Sequence, residues 1–195
     1  MDAPSIPRDD DVVVPSDATA LIVVDMQNDF AHPDGALFAP DTRAAIPVIA
    51  DLLARAREAG VRVLYTQDWH DDDDPEFAIW GEHAKAETWG AQIVAELTPD
   101  AADTVVKKLR YDAFYGTPLD HLLRRAGARH VVVVGTVANI CVLHTAGSAA
   151  LRHYDVVLAE DAVAAITPFD KVATLRQVTF LYAGRVAPAS GIRFV

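Results

Sequence analysis

Cys141 is the only cysteine in 195 residues. It sits in VVVVGTVANICVLHTAGSAAL, where an apolar run gives way to a helical pattern. A lone thiol makes no disulfide within the chain. It is either a small buried hydrophobe or a reactive thiolate whose pKa a helix N-terminus lowers. Other polar groups close the other apolar runs. Asp25 ends TALIVVD and is a candidate base. Lys107 and Lys108 end TVVKK, and either could hold Asp25 ionised and place positive charge near the sulfur. The amides of GTVANIC converge at a strand-to-helix turn, as donors to an oxyanion must. Asp68 and His70 alternate in an extended stretch and point the same way, with Glu76 and His83 further along DWHDDDDPEFAIWGEH. Each group alone fits a helix cap, a turn or a solvated charge. Together, Asp, Lys and Cys describe acyl transfer with no histidine in the catalytic set. The run Asp71 to Asp74 reads as a solvated loop, because adjacent carboxylates on one turn repel each other.

These groups need a scaffold that brings strand ends together. TALIVVD, VRVLYTQD, TVVKK, HVVVVG and DVVLAED read as strands, and GRVAPASGI holds a final one. Between them, Ile46, Ile49, Leu52, Leu53 and Ala56 recur at helical spacing before a stop at Gly60. WGAQIVAEL reads as a short helix, TPLDHLLRRAG as a capped one, Asn139 to His153 as a third, and FDKVATLRQVTFLYAG as a fourth. The polar stretch from His70 to Glu87 is too irregular to assign. Strands that are uninterrupted apolar runs and alternate with helices predict an α/β protein. Its fold is a three-layer α/β/α sandwich around a central parallel sheet of roughly six strands. Ligands of such sheets lie at the carboxyl ends of strands. Residues 1–17, rich in Pro and Asp, are expected to form a loosely attached arm, and 18–195 a single domain.

The chain has 17 basic and 28 acidic residues, a net charge of −11, which argues against a nucleic-acid partner. No apolar stretch is long enough to span a membrane, and the N-terminus lacks a hydrophobic signal core. A single cysteine suits a reducing compartment, so the expected location is cytoplasmic.

The motifs ALIVVDMQNDF, KLRYDAF and GTVANICV, in this order, resemble those of the isochorismatase-like cysteine hydrolases, and among them the nicotinamidases. The resemblance covers nearly the whole chain from Ala20 onward. It implies that Asp25 is the general base, that Lys108 rather than Lys107 is the catalytic lysine, and that Cys141 is the nucleophile. It also implies a cis peptide at Thr136–Val137 that aims the Val137 amide, with that of Cys141, at the oxyanion. The sequence departs from the pattern at Asp112, where Ser is common, and at Ala138, where Thr is common; Asp112 would add negative charge near the pocket.

The resemblance extends to a metal site. Nicotinamidases carry an Asp-x-His pair and a later His, often with a His or Glu between, which implies Asp68, His70, His83 and Glu76 as ligands of one divalent metal ion. Zn²⁺ suits such ligands, with Fe²⁺ or Mn²⁺ as alternatives. Trp80 and Phe30 match the positions that pack on the substrate ring, and Tyr111 is a further pocket-wall candidate. The implied partners are a small-molecule amide and further copies of the chain in a homo-oligomer. The expected reaction is hydrolysis of nicotinamide to nicotinate and ammonia through a thioester. The alternatives are a related cysteine hydrolase acting on another amide, carbamoyl or lactam substrate, and a non-enzymatic redox-sensing or binding protein.

Overall fold

The computed structural model describes residues 5–195. The first elements in chain order are β1 (Val12–Val14), β2 (Thr19–Val24), α1 (Asn28–Ala31), α2 (Asp41–Glu58), β3 (Arg62–Asp68), α3 (Phe77–Trp80) and β4 (Thr104–Lys108). They are followed by α4 (Leu119–Arg125), β5 (His130–Gly135), α5 (Leu143–Ala150), β6 (Asp155–Val163), α6 (Pro168–Leu181), β7 (Arg185–Ala187) and β8 (Ile192–Phe194). Strands β2 to β7 form a single sheet in the order β4-β3-β2-β5-β6-β7, and every pairing in it is parallel.

All six residues of β2 are buried, because alternate side chains meet a different helical layer on each face. Leu21 and Val23 join Ile49, Leu52 and Leu53 of α2 in one apolar cluster. Ala20, Ile22 and Val24 join Leu119 and Leu123 of α4, Ala146 of α5 and Val178 of α6 in another. The fold is therefore the expected α/β/α sandwich with a six-stranded parallel sheet.

The strand order reverses between β2 and β5. From β2 the chain winds outward through β3 and β4, then returns to the other side of β2 and winds through β6 and β7. The crevice at that switch point, at the carboxyl ends of the strands, is where such sheets bind ligands. Gly135 permits the close approach there. Its φ is +112°, and a Cβ on it would lie 2.1 Å from the Val24 carbonyl oxygen.

Three segments differ from expectation. The N-terminal arm, 1–17, is not loose from Asp9 onward, and its first four residues lie outside the described ones. The Asp9 amide donates to Val186, and β1 pairs in parallel with β8, burying Val12 and Val14. Their apolar side chains stabilise more in contact with the sheet's outer layer than in water. Trp89 to Leu97 is not a helix except for one tight turn at Ala95–Leu97. Its backbone is taken by the chain after β2, with Asn28 donating to Gln92 and Val94 to Met26. The helix expected from Asn139 begins instead with a widened turn, Ala138–Val142, kinked at Ile140. Among the described residues, no helix is long and apolar enough to cross a membrane.

Candidate active site

The topology gathers the strand-end groups around one ammonium. Asp68 and Lys108 are register partners at the ends of β3 and β4. Lys108 Nζ pairs with Asp68 Oδ1, stands 2.8 Å from Asp25 Oδ2 and donates to Cys141 Sγ at 3.6 Å. Asp25, Asp68, Lys108 and Cys141 are all buried. Lys107 points the other way, as strand alternation requires, and its Nζ lies 3.5 Å from the centre of the Trp69 ring. The lysine selected by the motif is thus the one inside the cluster.

Asp25 has a φ of +48°, in the left-handed region that non-glycine residues seldom adopt. Thr66 holds it there. The Thr66 hydroxyl donates to Asp25 Oδ1 at 2.6 Å, and the Asp25 amide reaches Thr66 Oγ1 at 3.2 Å. On the other side, Gln27 clamps the Asp68 backbone, donating to its carbonyl and accepting from its amide, each at 2.8 Å. The peptide bond Thr136–Val137 is cis, as the resemblance implied. In the widened turn that follows, the Val142 amide donates to the Val137 carbonyl. Single wide turns of this kind are frequent at functional sites.

Burial dominates the electrostatics. It would lower the pKa of Lys108, but Asp25, Asp68 and Cys141 outweigh it and hold the ammonium charged, its pKa well above the ordinary value. Burial pushes the Asp25 carboxyl up against the pull of Lys108, with Asp68 adding to the rise. Burial also pushes the Cys141 thiol well above its ordinary value, with Lys108 opposing and both carboxylates reinforcing. The lowered thiol pKa that a helix N-terminus would give is therefore not found. A buried cluster of two carboxylates and one ammonium is already negative, and a thiolate adds a second negative charge. Burial beside two carboxylates thus favours the protonated thiol over the thiolate.

Beside this cluster, ligand atoms of Asp68, His70 and His83 lie within 4.8 Å of one another, and all three residues are buried. The hydrogen bonds of the two rings leave both Nε2 atoms facing inward. His70 Nδ1 is 3.0 Å from Asp74 Oδ2, and its Nε2 has no hydrogen-bond partner among the described residues, standing 3.9 Å from Asp68 Oδ2. His83 Nδ1 is 2.8 Å from the Gly81 carbonyl oxygen. When an oxygen acceptor takes the Nδ1 hydrogen, Nε2 keeps a free lone pair, the form that ligates metals. A buried, unpartnered imidazole nitrogen beside a carboxylate and a second imidazole is a donor set that fits a divalent ion. Glu76 is adjacent, with Oε1 3.8 Å from His83 Nε2 and Oε2 3.9 Å from Arg110. Burial lowers the His83 pKa, but Glu76, the Gly81 carbonyl and Asp68 together leave it raised.

Asp25, Asp68, His83, Glu76 and Cys141 border a cavity of about 180 Å³ with Thr136 and Val137. A cavity of about 150 Å³ holds a benzene ring, so this one suits a small ring. Phe30, Trp80 and Tyr111 line it as expected, together with Leu37, Phe38, Ile140 and Ile166. Trp80 Nε1 donates to the Tyr111 hydroxyl at 2.8 Å, which ties two walls together.

Two expectations are corrected. Asp74 does not belong to a solvated loop with Asp71 to Asp73, because it is buried and holds His70. Burial raises its pKa, but the Glu76 amide, His70 and Arg110 bring it down to about 2. Asp112 adds no charge to the cavity lining; it accepts from the Phe114 amide at 2.8 Å and from the Ser148 hydroxyl. Sequence reasoning also passed over Thr66 and Gln27. Each carried a signal, being a polar residue two positions from a site aspartate.

The family model described as the isochorismatase domain matches residues 19–189. The ureidoacrylate amidohydrolase RutB of Enterobacter sp. strain 638 is 36% identical over 170 residues, covering 74% of this chain and 74% of its own. Among solved structures, N-carbamoylsarcosine amidase from Thermoplasma acidophilum is 40% identical with a TM-score of 0.81, over 88% of this chain and 96% of its own. The nicotinamidase PncA from Bacillus subtilis is 31% identical with a TM-score of 0.83, over 87% and 99%. The chain belongs to the isochorismatase family of hydrolases.

Proposed function

We propose that the protein is a metal-dependent cysteine amidohydrolase that converts nicotinamide to nicotinate and ammonia. The observation that carries this reading is the convergence of Asp68, His70 and His83 beside the cavity that Cys141 borders. Those three residues, with Glu76 alongside, would hold one divalent ion, Zn²⁺ by the nature of the donors. When bound, the ion supplies a coordination position that a pyridine nitrogen can fill, and positive charge against an acidic wall.

The chain's own residues carry the rest. Phe30, Trp80 and Tyr111 enclose a flat ring. Asp25 takes the thiol proton of Cys141 as the sulfur attacks the carboxamide carbon. The amides of Val137 and Cys141 face the oxygen on which negative charge develops. Asp25 passes its proton to the departing nitrogen, and ammonia leaves. Water then attacks the thioester while Asp25 accepts its proton. Collapse of the second tetrahedral intermediate returns that proton to sulfur and releases nicotinic acid, which ionises to nicotinate in solution. Asp25's raised pKa suits a group that must accept and donate in turn. Lys108 stays protonated throughout and offsets the charge of Asp25 and of the transient thiolate.

A second reading is hydrolysis of a ureido or carbamoyl amide, favoured by the identity to the ureidoacrylate and N-carbamoylsarcosine enzymes. Both of those names denote carboxylates. Among the described residues, the charged ones lining the cavity are Asp25, Asp68 and Glu76, with His83, and none is Lys or Arg. That lining favours a neutral amide. The test is metal analysis of the purified protein together with ammonia release from nicotinamide, ureidoacrylate and N-carbamoylsarcosine, with and without chelator. The expected result is close to one metal per chain and preferential, chelator-sensitive turnover of nicotinamide. Chelator-insensitive turnover of a carbamoyl acid in preference to nicotinamide would replace this reading with the second.

A further inference from the structure

We propose that Asp74 is a positioning residue that fixes the tautomer and orientation of His70, so that its Nε2 is offered to the metal. This rests on the metal reading above. Asp71, Asp72 and Asp73 are exposed, whereas Asp74 is buried. Its carboxylate is held on several sides. Oδ1 accepts from the Glu76 amide at 2.8 Å. Arg110 Nη1 donates to Oδ2 at 2.9 Å and to Oδ1 at 3.1 Å. The remaining capacity of Oδ2 goes to His70 Nδ1 at 3.0 Å. A carboxylate only accepts, so His70 must carry its hydrogen on Nδ1. In the neutral ring Nε2 is then the lone-pair nitrogen, buried and without a partner among the described residues.

His83 is held by a different device, a backbone carbonyl. Its Nδ1 meets Gly81 O at 2.8 Å, where Gly81 adopts a φ of +78° at the end of α3. Phe77 packs edge-on against both rings, with centroids 5.6 Å from His70 and 5.7 Å from His83. One ring therefore depends on a side chain that can be replaced, and the other on the main chain. Asp74 also anchors the segment that carries Glu76. Replacing Asp74 should disturb His70 and leave His83 in place. Outer-shell partners of this kind change metal affinity by about tenfold to a hundredfold.

The experiment uses the full chain as wild type, Asp74→Ala and Asp74→Asn. Zinc affinity is measured by chelator competition. The ring tautomers of the metal-free proteins are read by ¹⁵N NMR. In the wild type, both His70 and His83 should be Nδ1–H tautomers. In Asp74→Ala, His70 should lose that single tautomer while His83 keeps it, and zinc should bind about tenfold to a hundredfold more weakly. Asp74→Asn retains a carbonyl oxygen and should fall between the two, which keeps the test available if Asp74→Ala fails to fold. An unchanged His70 tautomer in both variants, or zinc affinity within twofold of wild type, would overturn the role of Asp74. A wild type that binds no zinc would remove the metal reading instead, and the tautomer measurement would still decide whether Asp74 sets His70.

Discussion

At the scale of single residues, the site is a charge balance enclosed in apolar surroundings. Among the described residues, Lys108 is the one lysine or arginine that touches Asp25, Asp68 and Cys141. Removing one partner from a buried ion cluster costs about 3–5 kcal/mol, because the remaining charges lose their compensation. Lys108→Ala should therefore lower the urea midpoint sharply and abolish turnover. Lys107→Ala loses only a cation–π contact worth about 0.5–1 kcal/mol and should keep turnover within about twofold. The reverse ranking would mean the wrong lysine was assigned. The thiol gives a pH prediction. Burial disfavours the thiolate, so more alkaline solution is needed to form it than for a free cysteine. In metal-stripped protein, the rate of iodoacetamide labelling at Cys141 should rise with pH, with a midpoint above that of a free thiol at about 8.5. A midpoint below the free-thiol value would show that Lys108 and the turn amides outweigh burial.

At the scale of elements, the junction of β2 and β5 places Asp25 against the nucleophile turn, and Gly135 makes that junction close. Gly135→Ala adds a Cβ that would lie 2.1 Å from Val24 O, at a φ of +112°. A loss of at least about 2 kcal/mol in urea denaturation is expected, with activity falling as β5 shifts. Gly116→Ala is the control: its φ is also positive, at +69°, but among the described residues nothing lies within 4 Å of the added carbon, so the cost should be only the backbone strain of about 1–2 kcal/mol. The strands were legible because a parallel strand covered on both faces is an apolar run, and TALIVV or HVVVV admits little else. The strand-end positions of Asp25, Asp68 and Lys108 followed from the same fact. Trp89 to Leu97 was not legible, since its fate depends on hydrogen bonds to Met26 and Asn28, more than sixty residues earlier in the chain. Asp74 was hidden for a related reason. Nothing local distinguishes it from its three neighbours; only the turn that carries it back to His70 and Arg110 does.

At the scale of the whole molecule, a net charge of −11 surrounds a cavity whose lining is itself acidic. Anionic amides meet a repulsive field that salt screens, with a Debye length falling from about 30 Å at 0.01 M to about 8 Å at 0.15 M. Steady-state kcat/KM for any anionic amide that is turned over should rise with ionic strength, while that for neutral nicotinamide stays flat. A flat profile for both would mean that the lining charges are neutralised when the site is complete. The motifs legible at three separate strand ends are brought together by this sheet order. The proposed activity rests on recognition of a ring nitrogen beside a cysteine nucleophile. Its most direct test compares kcat/KM for nicotinamide and benzamide in metal-replete wild type and His70→Ala. Benzamide has carbon where the site expects a donor nitrogen, and sites built to make such a bond reject analogues that lack it. The expected result is a preference for nicotinamide of at least about a hundredfold that shrinks in His70→Ala through loss of nicotinamide turnover. Equal rates on the two amides in the wild type would rule out nicotinamide as the substrate this site is built for.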